Sequence, residues 1–279
     1  DTTWNRLPGG AAVAPILRQA ADTFVPEQPE KTIPLLLKAR PLIASIKDPW
    51  AVLKLRELDE TIALCAGLYL DASTDRYAVV PGGTLSVNFE ATNRSNFPLA
   101  IKGVRLEGME GAPGQEFAPA VLAYNQPDRR SLTVSVPPGQ PYSQPYWLRK
   151  PGNGFTYVVE EQELVGMPET PPVLRGHIRI QAGSEQIDYV RPVVRRYVDR
   201  VEGETTRPLV VVPPVAVGLS DPVLVFPNDK PRTVDVLVRG NAAAASGELR
   251  LEPPQGWRVQ PPSRGFKVAE NEETALAFT

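Results

Sequence analysis

The sequence predicts a mainly β fold with an N-terminal helical segment and two immunoglobulin-like β-sandwich modules in tandem. Three observations carry this reading. Up to about residue 72, apolar residues recur at helical spacing. From Tyr77 the apolar period becomes two, in short runs. The 31 prolines among 279 residues fall between valine-rich runs. Proline there marks turns and edge strands, because it has no N–H to give to a ladder. These signals divide the chain into a helical segment over 1–72, a β-sandwich over 73–206 and a second sandwich over 207–279.

Within the helical segment, Asp48-Pro49 reads as a helix start, with Asp as N-cap and Pro at the first helical position. Ala51, Leu55, Leu58, Ile62, Cys65 and Tyr69 follow at alternating steps of four and three, which places them on one face. Arg56, Glu57, Asp59 and Glu60 fall off that stripe and are expected in solvent. Cys65 reads as a small buried apolar residue. The stretch Thr32 to Lys47 is apolar but interrupted by Pro34 and Pro41. An interior helical proline costs about 3 kcal/mol, so two broken turns are expected there rather than one rod.

In the first sandwich, Leu85, Val87, Phe89 and Ala91 alternate with Ser86, Asn88, Glu90 and Thr92. One face is apolar and the other wet, as in a sheet packed on one side. "LAIKGVRLEG" and "SLTVSVPPG" repeat the alternation, with proline- and glycine-containing turns between the runs. In "GHIRIQAGSEQIDYVRPVVRRYVD", Ala182-Gly183-Ser184 reads as a hairpin turn, followed by a long strand from Ile187 to Val198 broken near Pro192. "RPLVVVPPVAVGLSDPVLVF" marks a linker and the opening strand or two of the last module. The sequence ends within a strand-like run, so that module is expected to be short or truncated.

Charge and composition narrow the function. The formal net charge is −2 and the pI about 5.7, without the basic face of a nucleic-acid binder. No apolar run approaches the ~20 residues of a membrane span. The chain opens Asp1-Thr2-Thr3-Trp4, with no initiator methionine and no signal peptide, as expected of a processed or excised polypeptide. A single cysteine excludes an internal disulfide and a multi-thiolate zinc site.

The chemistry-bearing residues are few. His177 is the one histidine. A catalytic zinc site takes three protein ligands, and His177 and Cys65 lie in different modules. No G-x-S-x-G elbow accompanies the histidine, which reads as a polar strand position. Glu160, Glu161 and Glu163 form an acidic run, with Glu161 and Glu163 expected on one strand face; such a run is usually solvated. Asp71 to Asp75 imitates the start of a calcium loop, but Arg76 stands where the loop needs Gly and Gly82 where it needs Glu. Gly152 and Gly154 lack the remainder of a phosphate loop. Asn93-Arg94-Ser95 fits a glycosylation sequon but reads more simply as a turn. The sequence therefore assigns this chain no catalytic residue, no metal ligand and no cofactor.

What remains is "QPYWLRKPGNGFTY", residues 144–157. With Tyr142 just before it, it gathers Tyr142, Tyr146, Trp147, Phe155 and Tyr157. Aromatic faces stack on sugar rings, and they also fill module interfaces, where each ring buries roughly 150–250 Å². The interleaved prolines favour the joint; the ring density keeps a sugar platform open.

"QPYWLRKPGNGFTYVVEEQELVGMPETPP", followed by "RPVVRRYVDRVEGETTRPLVVVPPV", resembles the region after the catalytic domain in large bacterial PIG-L/LmbE-family deacetylases. "PPQGWRVQPPSRGFKVAENEETALAF" resembles a NEW3-type β-sandwich module. The resemblance implies a parent zinc-dependent N-deacetylase acting on N-acetylglucosamine-type substrates, with an Ala-His-Pro-Asp-Asp signature and a distal histidine. None of that signature occurs here, so no catalytic residue carries over, and the implied zinc belongs to a catalytic domain outside this chain. On this reading the partners are that catalytic domain and a glycan, and the address is periplasmic or extracellular.

Overall fold

The computed structural model describes residues 3–279; Asp1 and Thr2, at the start of the sequence-assigned helical segment, lie outside them. The chain is mainly β, with 38% of residues in strands and 20% in helix. It forms two compact units, each gathered from separated segments. The first holds the chain up to Asp75 with Ser86–Val134 and Leu174–Pro208; the second holds Arg76–Leu85, Ser135–Val173 and Leu209–Thr279.

In the first unit, short 3₁₀ turns precede α1 (Val13–Asp22) and α2 (Ile33–Ala44), and α3 (Pro49–Cys65) follows. The two broken turns expected around Pro34 and Pro41 are instead the single helix α2. Pro34 sits in the first turn, where its missing N–H would have no intrahelical acceptor. Pro41 is exposed, so its ring meets solvent. The opposite side buries Ile33, Leu36, Ala39 and Ile43, and that packing outweighs the hydrogen bond lost at the proline.

α3 starts as its sequence dictates: the Asp48 carboxylate accepts from the Trp50 N–H at 2.8 Å. Ala51, Leu58, Ile62 and Cys65 are buried and Leu55 is half-buried. Two expectations are corrected. Tyr69 is not on the helix but opens β1 (Tyr69–Thr74). Gly67 at φ +55° ends the helix, with Leu68 N donating to Ala63 O (2.8 Å) and Gly67 N to Leu64 O (3.0 Å), a Schellman closure. Asp59 is not solvated: its carboxylate takes Arg40 Nε at 2.8 Å and Nη2 at 3.1 Å, while Arg40 Nη1 reaches Glu185 at 2.9 Å.

The strands after β1 are β2 (Ala78–Val79), β3 (Thr84–Thr92), β4 (Leu99–Glu107), β5 (Gly114–Val121), β6 (Pro127–Ser135), β7 (Arg175–Ala182), β8 (Glu185–Pro192), β9 (Val194–Asp199) and β10 (Gly203–Pro208). Apart from β2 they form a five-stranded sheet, ordered β10-β9-β1-β3-β6, and a four-stranded sheet, ordered β5-β4-β7-β8. The two sheets face each other. A Cβ built on Gly176 of β7 would lie 2.7 Å from Ala72 Cβ of β1 and 2.7 Å from the Phe89 ring of β3. Val87, Phe89 and Ala91 supply one side of this core, and Val104, Leu106, Ile178 and Ile180 the other. The β7–β8 hairpin turns on Gly183 at φ +59°. The break expected near Pro192 is the point where the chain leaves one sheet (β8) for the other (β9).

The second unit carries β2 paired in parallel with β11 (Val210–Val211). It also holds a three-stranded sheet of β12 (Val215–Leu219), β13 (Val234–Gly240) and β16 (Glu273–Phe278), and a hairpin of β14 (Ala244–Leu249) with β15 (Arg264–Ala269). Val236, Val238, Val268 and Phe278 are buried among them.

Candidate functional site: an aromatic groove

The segment Ser135–Val173 of the second unit contains little regular structure and is held by side chains. Ser143 anchors it to β11: its N–H donates to Val211 O at 2.8 Å and its Oγ accepts from Val211 N at 2.9 Å. A 3₁₀ turn over Tyr146–Leu148 then buries the Tyr146 ring. The Tyr146 hydroxyl donates to Met167 O at 2.9 Å and its N–H donates to Thr170 Oγ1 at 3.0 Å. These bonds bring residues 165–170 back against the turn.

Trp147 packs edge-on against Tyr146, with ring centroids 4.9 Å apart and planes at 89°. Beyond it the chain reverses at Gly154 (φ +94°), where Asn153 Oδ1 accepts from the Phe155 and Thr156 N–H groups at 3.0 and 2.9 Å. Two ion pairs cross the returning strands of chain, Arg149 to Glu161 at 2.9 Å and Lys150 to Glu160. Between the turns lies an open groove of about 500 Å³ lined by Tyr146, Trp147, Tyr157, Val159, Val165, Gly166 and Met167.

Of the five aromatic residues singled out in the sequence, the fold brings Tyr146, Trp147 and Tyr157 to this groove. Tyr146 is the buried floor, Trp147 is half-buried and Tyr157 is 64% exposed. Tyr142 and Phe155 do not line it, and Phe155 is 98% exposed. Val165 and Met167 were not legible as lining residues: they precede no periodic run, and hydrogen bonds from Tyr146 to Met167 and Thr170, made over 21 and 24 positions, bring them in.

The acidic run differs from expectation. Glu161 and Glu163 share no strand face, because Gln162–Leu164 is a 3₁₀ turn. Glu160 and Glu161 instead serve as anionic halves of the two ion pairs. Asp71 sits on β1 and takes Arg196 Nη2 at 2.8 Å. Asn93 is buried; its Oδ1 accepts from Ser95 N at 3.1 Å and its Nδ2 donates to Phe97 O at 2.8 Å, the bonding of a turn.

In the first unit His177 lies on the outer face of the four-stranded sheet yet is buried beneath its neighbours. Arg105 and Glu107 of β4 occupy its two ring nitrogens. Burial, then the charge of Arg105, holds its pKa below the ordinary 6.5. The hydrogen bond from His177, with Arg175 and Arg105 nearby, holds Glu107 below the usual carboxylate range. Neither ring nitrogen is left to take a proton from a substrate. Cys65 is buried, and burial pushes its thiol pKa up. Among the described residues no three His, Cys, Asp or Glu side chains cluster as metal ligands, and no helix is long and apolar enough to cross a membrane.

No protein-family description matches this chain, and no curated protein matches it. Among solved structures it is similar to the sporulation control protein Spo0M of Bacillus subtilis, at 8% identity over 62% of this chain and 67% of that one, with a TM-score of 0.27. It is also similar to the alkylpurine DNA glycosylase AlkC of Pseudomonas fluorescens, at 7% identity over 64% of this chain and 50% of that one, TM-score 0.23. A third likeness is to Escherichia coli alpha-2-macroglobulin, at 11% identity over 76% of this chain and 18% of that one, TM-score 0.25. Superpositions of this quality establish neither a shared fold nor a shared activity.

Proposed function

We propose that this chain is a non-catalytic accessory region of an exported bacterial protein of the PIG-L/LmbE deacetylase type, and that its aromatic groove docks a saccharide. The observation behind the reading is the groove itself. Trp147 and Tyr157 present ring surface to an open space of about 500 Å³, within the range of small-ligand sites. Apolar C–H faces of a pyranose match such rings, and the nearby Arg149–Glu161 and Lys150–Glu160 pairs offer donors and acceptors to its hydroxyls. On this reading the chain carries two immunoglobulin-like sandwiches in tandem, over 73–206 and 207–279, the second NEW3-like. Any zinc then belongs to the separate catalytic domain, and the address is periplasmic or extracellular.

Titration calorimetry with N-acetylglucosamine oligomers, preceded by a glycan array, tests the groove. The native chain binds, and Trp147→Ala weakens binding at least tenfold with the melting temperature unchanged. No glycan binding at millimolar concentration by the native chain overturns the saccharide reading. Turnover of N-acetylglucosamine derivatives by this chain with zinc added overturns the non-catalytic one.

Phe155 favours a second contact. At 98% exposure outside the groove, it is an apolar ring turned to solvent, suited to packing on a catalytic domain. Phe155→Asp then weakens association with that domain and leaves glycan binding intact.

A further inference from the structure

The outer strand β12 differs from the other sheet edges of this protein. A sheet edge offers unpaired N–H and C=O groups, and natural proteins blunt it with charges, prolines or very short strands. The other edges follow that rule: β5 carries Glu116 and Pro119, β6 Asp128 and Arg129, β8 Asp188 and Arg191, β10 Glu204 and Arg207. In the second unit β14 carries Glu248, β15 Lys267 and β16 Glu273, while β2 and β11 are two residues long. β12 reads Val-Ala-Val-Gly-Leu, with neither charge nor proline.

Its backbone polarity follows from the register. β12 pairs antiparallel with β13, with Val217 opposite Val238. On the same ladder Asn241 N donates to Pro214 O at 2.8 Å and Ser220 N to Asp235 O at 3.0 Å. Hydrogen-bonded and non-bonded pairs alternate along an antiparallel ladder. Residues 214, 216, 218 and 220 therefore bond inward, and Val215, Val217 and Leu219 point their N–H and C=O groups away from β13. Nothing covers them within the second unit: Ala216 and Gly218 are exposed, Val217 is 56% exposed and Leu219 48%. Pro213-Pro214 and Pro222 bound the free stretch on either side.

We propose that β12 is the edge through which two copies of this chain pair, antiparallel about a two-fold axis at Val217. That register is self-complementary. Val217 faces its own copy, Val215 faces Leu219, and the single charge between the flanking prolines, Asp221, faces Pro213. No like charges meet, and the outward groups of Val215, Val217 and Leu219 all find partners. The two three-stranded sheets become one continuous sheet. The interface is small and belongs to the transient class.

Sedimentation velocity on the full chain from about 10 µM to about 1 mM tests this. The dimer fraction rises with concentration. Val217→Lys and Leu219→Lys each shift the midpoint upward at least tenfold, and using both guards against a folding defect in one. Val198→Lys, at a 78% exposed position on β9, leaves the midpoint unchanged. Val217→Cys cross-links into a disulfide dimer under mild oxidation. Its Cα atoms would lie about 5.5 Å apart in a hydrogen-bonded pair, within disulfide reach, and the native Cys65 is buried. A chain that stays monomeric at about 1 mM overturns the proposal. So does a dimer that ignores both lysine substitutions, or one that does not cross-link through Val217→Cys.

Discussion

Arg105 donates from Nη2 to Nδ1 of His177 across 2.9 Å. A guanidinium can only donate, so Nδ1 holds a lone pair and the ring proton sits on Nε2, facing the Glu107 carboxylate. A second proton on the ring would have to point Nδ1–H at the guanidinium. The fold thus fixes both the tautomer and the neutral charge of this histidine.

That geometry sets a pH dependence. The folded pKa of His177 lies below 6.5, so the unfolded chain binds the proton more readily. The stability this provides is complete above pH about 6.5 and is lost as pH falls from there toward the folded pKa. The lowered carboxylates Glu107 and Asp188 act further down, below their ordinary 4.5 and 3.8. Urea midpoints between pH 7.5 and 5 fall in the native chain, and His177→Gln flattens that slope. An equal slope in the variant would place the dependence elsewhere.

Arg40 joins three elements, bonding Asp59 of α3 and Glu185 of β8 from its place on α2, with Arg40 and Asp59 side chains only 15% and 16% exposed. Burial raises the Asp59 pKa despite the arginine, so the carboxylate depends on its partner. Removing one member of such a pair strands the other charge. Arg40→Leu is expected to lower the unfolding free energy more than Arg40→Leu combined with Asp59→Leu, and a double-mutant cycle in urea reads the difference.

Leu58 is 6% exposed on the inner stripe of α3. Leu58→Ala is expected to cost about 2–5 kcal/mol by chemical denaturation. A near-zero change would mean that the stripe carries no packing.

Gly176 has no room for a methyl group, since a Cβ there would meet Ala72 and Phe89 at 2.7 Å. Gly176→Ala forces the facing sheets apart and is expected to cost about 1–3 kcal/mol. Gly139, where a Cβ meets nothing within 4 Å, is the matched control, and its alanine variant keeps the native denaturation midpoint.

Local rules made much of this protein legible. Asp48-Pro49 announced α3, and the Leu85–Ala91 alternation announced β3 and its buried face, because capping and the two-residue pleat act between near neighbours. Pro34 and Pro41 misled, because the cost of an interior proline was local while the packing of Ile33, Leu36, Ala39 and Ile43 that offsets it was not. The aromatic cluster was visible as composition. Its split into groove residues Tyr146, Trp147 and Tyr157 and outlying Phe155 depended on a hydrogen bond from Tyr146 to Met167 and on the chain reversal at Gly154.

By itself, then, the sequence determined the start of α3, the apolar and wet faces of β3, and the presence of a single histidine and a single cysteine. The tertiary structure alone decided that His177 is a locked neutral imidazole, that Asp59 is a half-buried partner of Arg40, and that β12 is an open edge. The reason is physical: propensity and periodicity are written within a few residues, whereas burial, hydrogen-bond partnership and strand order join residues far apart in the chain. A side chain's charge state follows from whichever neighbours that folding brings.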